Sequence, residues 1–180
     1  MLQVGEDAPR FSVQPVFGLQ VELHEQTRRY PLVLCFLPHT GSPWCREAMF
    51  KLQEAYASFD LHGAQVLVIT PASMDVANDY VPRYHILFPV VCDPQFELFS
   101  LYSVPKGGAA GALKSLRPDR LVKNLRALKR GLGPVEGVET QLPAFFVIAP
   151  GGKLVYARYG GAISDQPDVD ALLEAARGCC

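Results

Sequence analysis

The chain has almost no charge of one sign to spare: 17 Lys and Arg stand against 18 Asp and Glu, a formal net charge of −1 over 180 residues. Such a balance gives no global field toward nucleic acid or an anionic bilayer, and neither is expected as a partner. Long hydrophobic runs are also missing. No stretch reaches the ~18 apolar residues of a membrane span. The opening residues 1–11, with Glu6, Asp7 and Pro9, lack the apolar centre of a signal peptide. A cytoplasmic location is the resulting expectation. The cysteines, Cys35, Cys45, Cys92, Cys179 and Cys180, are odd in number and follow neither a disulfide framework nor a paired zinc spacing. Neither a phosphate loop nor a Ser-His-Asp order is discernible. No metal and no cofactor is expected, and in a reducing compartment most of the cysteines should be thiols.

What is present is a globular composition, 49% hydrophobic and 19% charged, on a length suited to one domain over residues 1–180. Residues 13–23, broken at Gly18, read as a small N-terminal hairpin. Residues 30–37 (YPLVLCFL) are a continuous apolar run, the signature of a strand buried on both faces. Pro43 suits the first turn of a helix, and Ala48, Leu52, Ala55 and Phe59 recur at helical spacing before Gly63 ends it. A second buried strand follows at 65–70, a helix at 74–84 that Pro82 kinks or stops, a strand at 87–92 and a helix at 95–102. Late in the chain, strands at 144–149 and 153–158 flank the turn Pro150-Gly151-Gly152. A last helix capped by Asp165 or Asp168 ends near Arg177. Early alternation implies parallel right-handed crossovers and the late hairpin an antiparallel edge, so the expected fold class is α/β, a mixed central sheet flanked by helices.

Residues 106–140 differ in character. They hold eight Lys or Arg against three acidic residues, and Leu121, Leu125, Leu128 and Leu132 make one apolar stripe. They are expected to be a basic helical insertion whose stripe packs on the sheet domain or on a second copy of the chain, since they have too few apolar residues for a core of their own. The basic face fits either an acidic partner or simple solvation.

The strongest local signal is Pro38-His39-Thr40-Gly41-Ser42-Pro43-Trp44-Cys45, between a buried strand and a helix start. A cysteine acts as a nucleophile only as thiolate, and a helix N-terminus, with its unpaired N–H groups and positive dipole end, favours that anion. Ser42 is three residues from Cys45, where its hydroxyl is placed to donate to the sulfur. Arg46 follows directly with a positive charge, and a depressed Cys45 pKa is expected. His39 and Trp44 are candidates to tune or cover the thiol, although a solvent-facing histidine and a core anchor are equally good readings. Cys35 lies mid-strand and reads as a packed thiol. Cys92, at a strand end, and Cys179 and Cys180, after Gly178 on an expected mobile tail, are candidate resolving thiols; packing for the first and an inert tail for the others are the plainer alternatives.

Pro38, Ser42 and Cys45 fill the constrained places of the peroxiredoxin pattern P-x-x-x-(T/S)-x-x-C. The opening Val4-Gly5-Glu6-Asp7-Ala8-Pro9-Arg10-Phe11 resembles the "G-x-x-A-P-x-F" start of the same family, the alkyl hydroperoxide reductase and thiol-specific antioxidant proteins. Phe88 to Pro94 resembles its "F-P-x-x-x-D" segment, and Phe146 to Leu154 its late hairpin. The residues Gln141-Leu142-Pro143 and Ser164-Asp165-Gln166-Pro167 look closest to a peroxiredoxin-like branch. The resemblance implies a thioredoxin-like three-layer fold. It also implies a peroxidase in which Cys45 is oxidised to a sulfenic acid by hydrogen peroxide or an organic hydroperoxide. Pro38 would shield the sulfur, Ser42 would bind the peroxide, and the Trp44 and Cys45 amides would stabilise developing charge. The reductant would be a thioredoxin-like protein or a low-molecular-weight thiol. Pro143 matches a place that is often cis in thioredoxin folds.

Two departures qualify the match. The family sets an arginine against the sulfur from the strand entering the late hairpin, and residues 141–146 contain none; either Arg158 or an insertion arginine substitutes, or peroxidase activity is low. Where many branch members have C-P-x-C, this chain has Ser42, so no local disulfide can form. A redox sensor or binding module, or a monothiol disulfide exchanger, is therefore the alternative on the same scaffold.

Overall fold

A computed structural model of the chain describes residues 1–39, 41–107 and 140–179. The apolar run at 30–37 becomes β3 (Leu32–Phe36), every residue of it buried. It is the middle strand of a five-stranded sheet. Parallel to it lies β4 (Gln65–Thr70), and beyond that β5 (Val90–Cys92); on its other side are the antiparallel β6 (Ala144–Ile148) and β7 (Leu154–Tyr159), in the order β5-β4-β3-β6-β7. The expected mixed sheet with an antiparallel late hairpin is the one observed. A short separate hairpin pairs β1 (Ser12–Val13) with β2 (Val21–Glu22). It is smaller than the 13–23 hairpin expected, because Leu23 already belongs to α1 (Leu23–Gln26) and is buried.

Two apolar layers cover the sheet. One face carries α2 (Pro43–Leu61), α3 (Met74–Arg83) and the last helix, α5 (Val169–Arg177), packing Leu52, Phe59, Val81 and Leu172 over Val33, Cys35 and Phe145. The other buries Leu34, Phe36 and Phe146 beneath Leu23 of α1 and Phe99 of α4 (Glu97–Leu101). Alternate residues of β3 thus serve opposite layers, which is why its sequence is apolar throughout.

Helix limits follow local chemistry. Ser42 caps α2 by accepting the Trp44 N–H at 3.3 Å, with Pro43 in the first turn. Gly63 follows the helix at φ +65°, a left-handed turn that glycine adopts without strain. Ser73 caps α3, and Pro82 sits in its last turn rather than breaking it earlier. Of the two candidates to cap α5, Asp168 does so through the Ala171 N–H; Asp165 instead accepts Gly161 and Ala162 amides and shapes the preceding loop.

The region entering the basic segment is pinned. Lys106 and Gln141 form an antiparallel bridge, Gly107 N donates to Thr140 O at 2.5 Å, and the Gln141 amide donates to the Val104 and Pro105 carbonyls. The expected helix with the Leu121, Leu125, Leu128 and Leu132 stripe falls in 108–139, outside the described residues, as does Cys180. No described helix is long and apolar enough to cross a membrane.

Candidate active site

Strands β3, β4 and β5 all run toward one edge of the sheet, and α2 begins there, directly after β3. This brings Pro38, His39, Ser42, Trp44, Cys45 and Arg46 into one turn at the carboxyl end of the central strand. Cys45 is the third residue of α2 and only 4% exposed. Pro38 is buried as well, while Ser42 and Trp44 are half-buried. The sulfur receives a hydrogen bond from the His39 backbone N–H and one from the Ser42 side chain.

Both contacts favour a thiolate, yet burial outweighs them and pushes the Cys45 thiol up to about 12. This reverses the expected depression. Helix position and hydrogen bonds act on the charge, but a sulfur cut off from water loses more in desolvation than those donors return. Cys35, wholly buried in the same apolar layer, is raised still further by desolvation and has no such donors.

The expected helpers are placed differently from one another. Arg46 turns toward α3, its guanidinium carbon 5.9 Å from the Tyr80 ring centroid and 5.5 Å from that of Tyr84. It does not figure among the groups that shift the Cys45 thiol. Arg158 stands on β7 opposite Phe145, on the α2 face of the sheet, and its Nη1 donates to the Gln166 carbonyl at 3.4 Å rather than to the sulfur. No described arginine therefore fills the place of the missing one. Pro143 is buried at the start of β6 with a trans peptide bond, so the cis geometry anticipated for it is absent. Gly160 closes the space over it: a Cβ there would meet Pro143 Cγ at 2.8 Å.

The other cysteines are spread out, and no disulfide links the described ones. Cys92 ends β5, two strands from β3, a separation of about 10 Å across the sheet. Cys179 is not on a loose tail. It extends the last turn of α5, its N–H bonding to Ala176 O and its Sγ to Ala175 O at 3.1 Å. Since α5 starts at the Cys45 edge and runs away from it for nine residues, about 13 Å, Cys179 lies at the end of α5 away from Cys45.

One residue near the thiol had no role assigned from sequence. Gln166, in the loop before α5, donates Nε2 to the Trp44 carbonyl at 3.0 Å, across 122 residues of chain. No local pattern signals such a contact. Gln166 also lines a cleft of about 780 Å³ between α2 and residues 164–170, with Lys51, Glu54, Arg158, Asp165 and Asp170. Among the described residues no group of three His, Cys, Asp or Glu is arranged to hold a metal.

The family model described as AhpC/TSA matches residues 4–157. A thiol-disulfide oxidoreductase, ResA of Bacillus cereus, is 26% identical over 107 residues, 57% of this chain and 59% of that protein. The chain thus spans less than two thirds of that relative. A thioredoxin-like protein AAED1, chloroplastic, of Arabidopsis thaliana is 24% identical over 174 residues, 91% of this chain and 67% of that one. Among solved structures, the peroxidoxin BcpB from Mycobacterium tuberculosis superposes with a TM-score of 0.73 at 16% identity, over 100% of this chain and 99% of the other. The architecture is accordingly that of the peroxiredoxin-type thioredoxin fold.

Proposed function

The chain belongs to the AhpC/TSA family, and from that membership and the Cys45 turn we propose that it is a thiol-dependent peroxidase with Cys45 as its working thiol. The observation that carries this reading is the pair of donors, His39 N–H and the Ser42 side chain, converging on one sulfur at a helix start. The Cys45 thiolate attacks the terminal oxygen of a hydroperoxide. The O–O bond breaks, the sulfur takes that oxygen as a sulfenic acid, and the remaining oxygen leaves as water or an alcohol once protonated. Ser42 orients the peroxide, Pro38 screens the sulfur, and the Trp44 and Cys45 amides stabilise charge on the leaving oxygen. One thiol then displaces water to form a mixed disulfide on Cys45. A second thiol releases the reduced enzyme and a disulfide, so each peroxide consumes two thiols.

With Cys45 almost wholly buried, the thiolate forms only when the first turn of α2 admits solvent or substrate. The same burial, with no described arginine on the sulfur, favours a second reading on the same site: a sensor or monothiol exchanger that oxidises slowly. Rate separates the two. Sulfenic acid formation at Cys45 is followed against hydrogen peroxide and an organic hydroperoxide, together with steady-state consumption in the presence of a thiol. Cys45→Ser should abolish consumption, and turnover retained in that variant would move the chemistry to another residue. A wild-type protein that oxidises at the rate of an ordinary exposed thiol would leave only the sensor reading.

A further inference from the structure

Gln166 stands out because its hydrogen bonds do not make sense as stability alone. Its Nε2 donates to the Trp44 carbonyl at 3.0 Å and to the Ser164 carbonyl at 3.4 Å. Its Oε1 is shielded from solvent and has no donor among the described residues. A buried acceptor left in that condition is a cost, and a methionine of similar length would fill the space without it. The Trp44 carbonyl does not need the amide either: as the second residue of α2 it is placed to accept the helical N–H four residues on. What the amide adds is a tie between the turn that carries Cys45 and the loop that follows β7. The tie is backed, since Arg158 Nη1 holds the Gln166 carbonyl at 3.4 Å and Pro167 is buried next to it. The 780 Å³ cleft on the other flank of Gln166 gives the side chain room to swing out.

We propose that Gln166 is a positioning residue: a latch that holds the first turn of α2 closed over Cys45 and whose release exposes the thiol. Arg158 supports the latch through the Gln166 carbonyl and does not act on the sulfur itself. The proposal deepens the reading of Cys45 as the working thiol, but thiol modification without peroxide tests it even where peroxide turnover is absent.

The test uses the full chain with Gln166→Met, Arg158→Met, the double variant, and Tyr102→Phe as a control. The last removes a hydrogen bond to Pro9 O on the opposite face of the sheet. Iodoacetamide modification of Cys45 is measured against pH by peptide mass analysis. Gln166→Met should modify about tenfold faster at neutral pH, with the midpoint of the profile about one unit lower, as expected when a buried thiol gains water. Arg158→Met should move both in the same direction by less, and should add nothing in the Gln166→Met background, because both act through one contact. Tyr102→Phe should leave rate and midpoint at wild-type values. A Gln166→Met protein with the wild-type rate and midpoint overturns the latch. So does equal acceleration in Tyr102→Phe, which would mean general loosening. Should Gln166→Met not fold, Arg158→Met with an unmoved midpoint is enough to overturn it.

Discussion

The Ser42 side chain serves the Cys45 turn twice: its oxygen accepts the Trp44 N–H that begins α2, and it hydrogen-bonds the Cys45 sulfur. Helix start and thiol environment are therefore one structural unit. Removing the hydroxyl should be felt in both. Ser42→Ala is expected to cost about 1 kcal/mol through the lost cap, read by denaturant unfolding. It should also raise the midpoint of Cys45 alkylation, since a donor to the thiolate is gone. A lower midpoint in that variant would show that the hydroxyl does not stabilise the anion.

The buried thiols should make stability fall at alkaline pH. Cys45 is pushed up to about 12 and Cys35 further, both by desolvation. On unfolding, each would ionise in the ordinary thiol range near ~8.5. Between that range and about 12, the unfolded chain therefore holds fewer protons than the folded one, and stability falls as pH rises; below the range these thiols contribute no pH dependence. Each thiol contributes a slope of about 1.4 kcal/mol per pH unit. Unfolding followed from neutral pH to alkaline pH should show the decline, and Cys35→Ala should halve the thiol part of it. A slope unchanged by that substitution would mean that Cys35 ionises while folded.

Arg46 is expected to act on packing rather than on the thiol. Its guanidinium lies over Tyr80 and Tyr84, whose rings are themselves 4.6 Å apart. Arg46→Met should cost about 0.5–2 kcal/mol from the lost cation–π contacts and leave the Cys45 alkylation midpoint where it was. An upward shift of that midpoint would assign the arginine a direct electrostatic part at the sulfur.

Recycling should need an outside thiol. Cys179 lies at the far end of α5 and Cys92 two strands away from β3, whereas a disulfide needs Cα atoms within about 7 Å. Peroxide treatment without reductant should leave Cys45 as sulfenic or sulfinic acid, detected by mass analysis under non-reducing conditions. A high yield of an intramolecular Cys45–Cys179 peptide would contradict the fold as well as the chemistry, and a Cys45–Cys92 peptide would make Cys92 the resolving thiol. A Cys45–Cys180 peptide, or any cross-link between two chains, would name the tail as the resolving partner instead.

Some of this protein was determined by local chemistry and could be read without a fold. The short, Val- and Leu-rich apolar run around Cys35 reads as a strand buried on both faces, and Gln65 to Thr70 repeats the pattern. Ser42 followed by Pro43 favours a capped helix start from local chemistry alone, because the cap and the fixed φ are properties of neighbouring residues. Even the antiparallel late hairpin followed from Pro150-Gly151-Gly152. Tertiary structure decided what distance along the chain conceals. Burial of the α2 start in the core turned an expected low thiol pKa into a high one, since desolvation depends on every atom that excludes water and not on the residues adjacent in sequence. The same packing sent Arg46 to the tyrosines of α3 and Arg158 to a carbonyl, and it brought Gln166 across 122 residues to the turn beside Cys45. The sequence places Cys45 at a capped helix start; the fold sets how far its sulfur is shut away, because charge and hydrogen bonding are local while exclusion of water is collective.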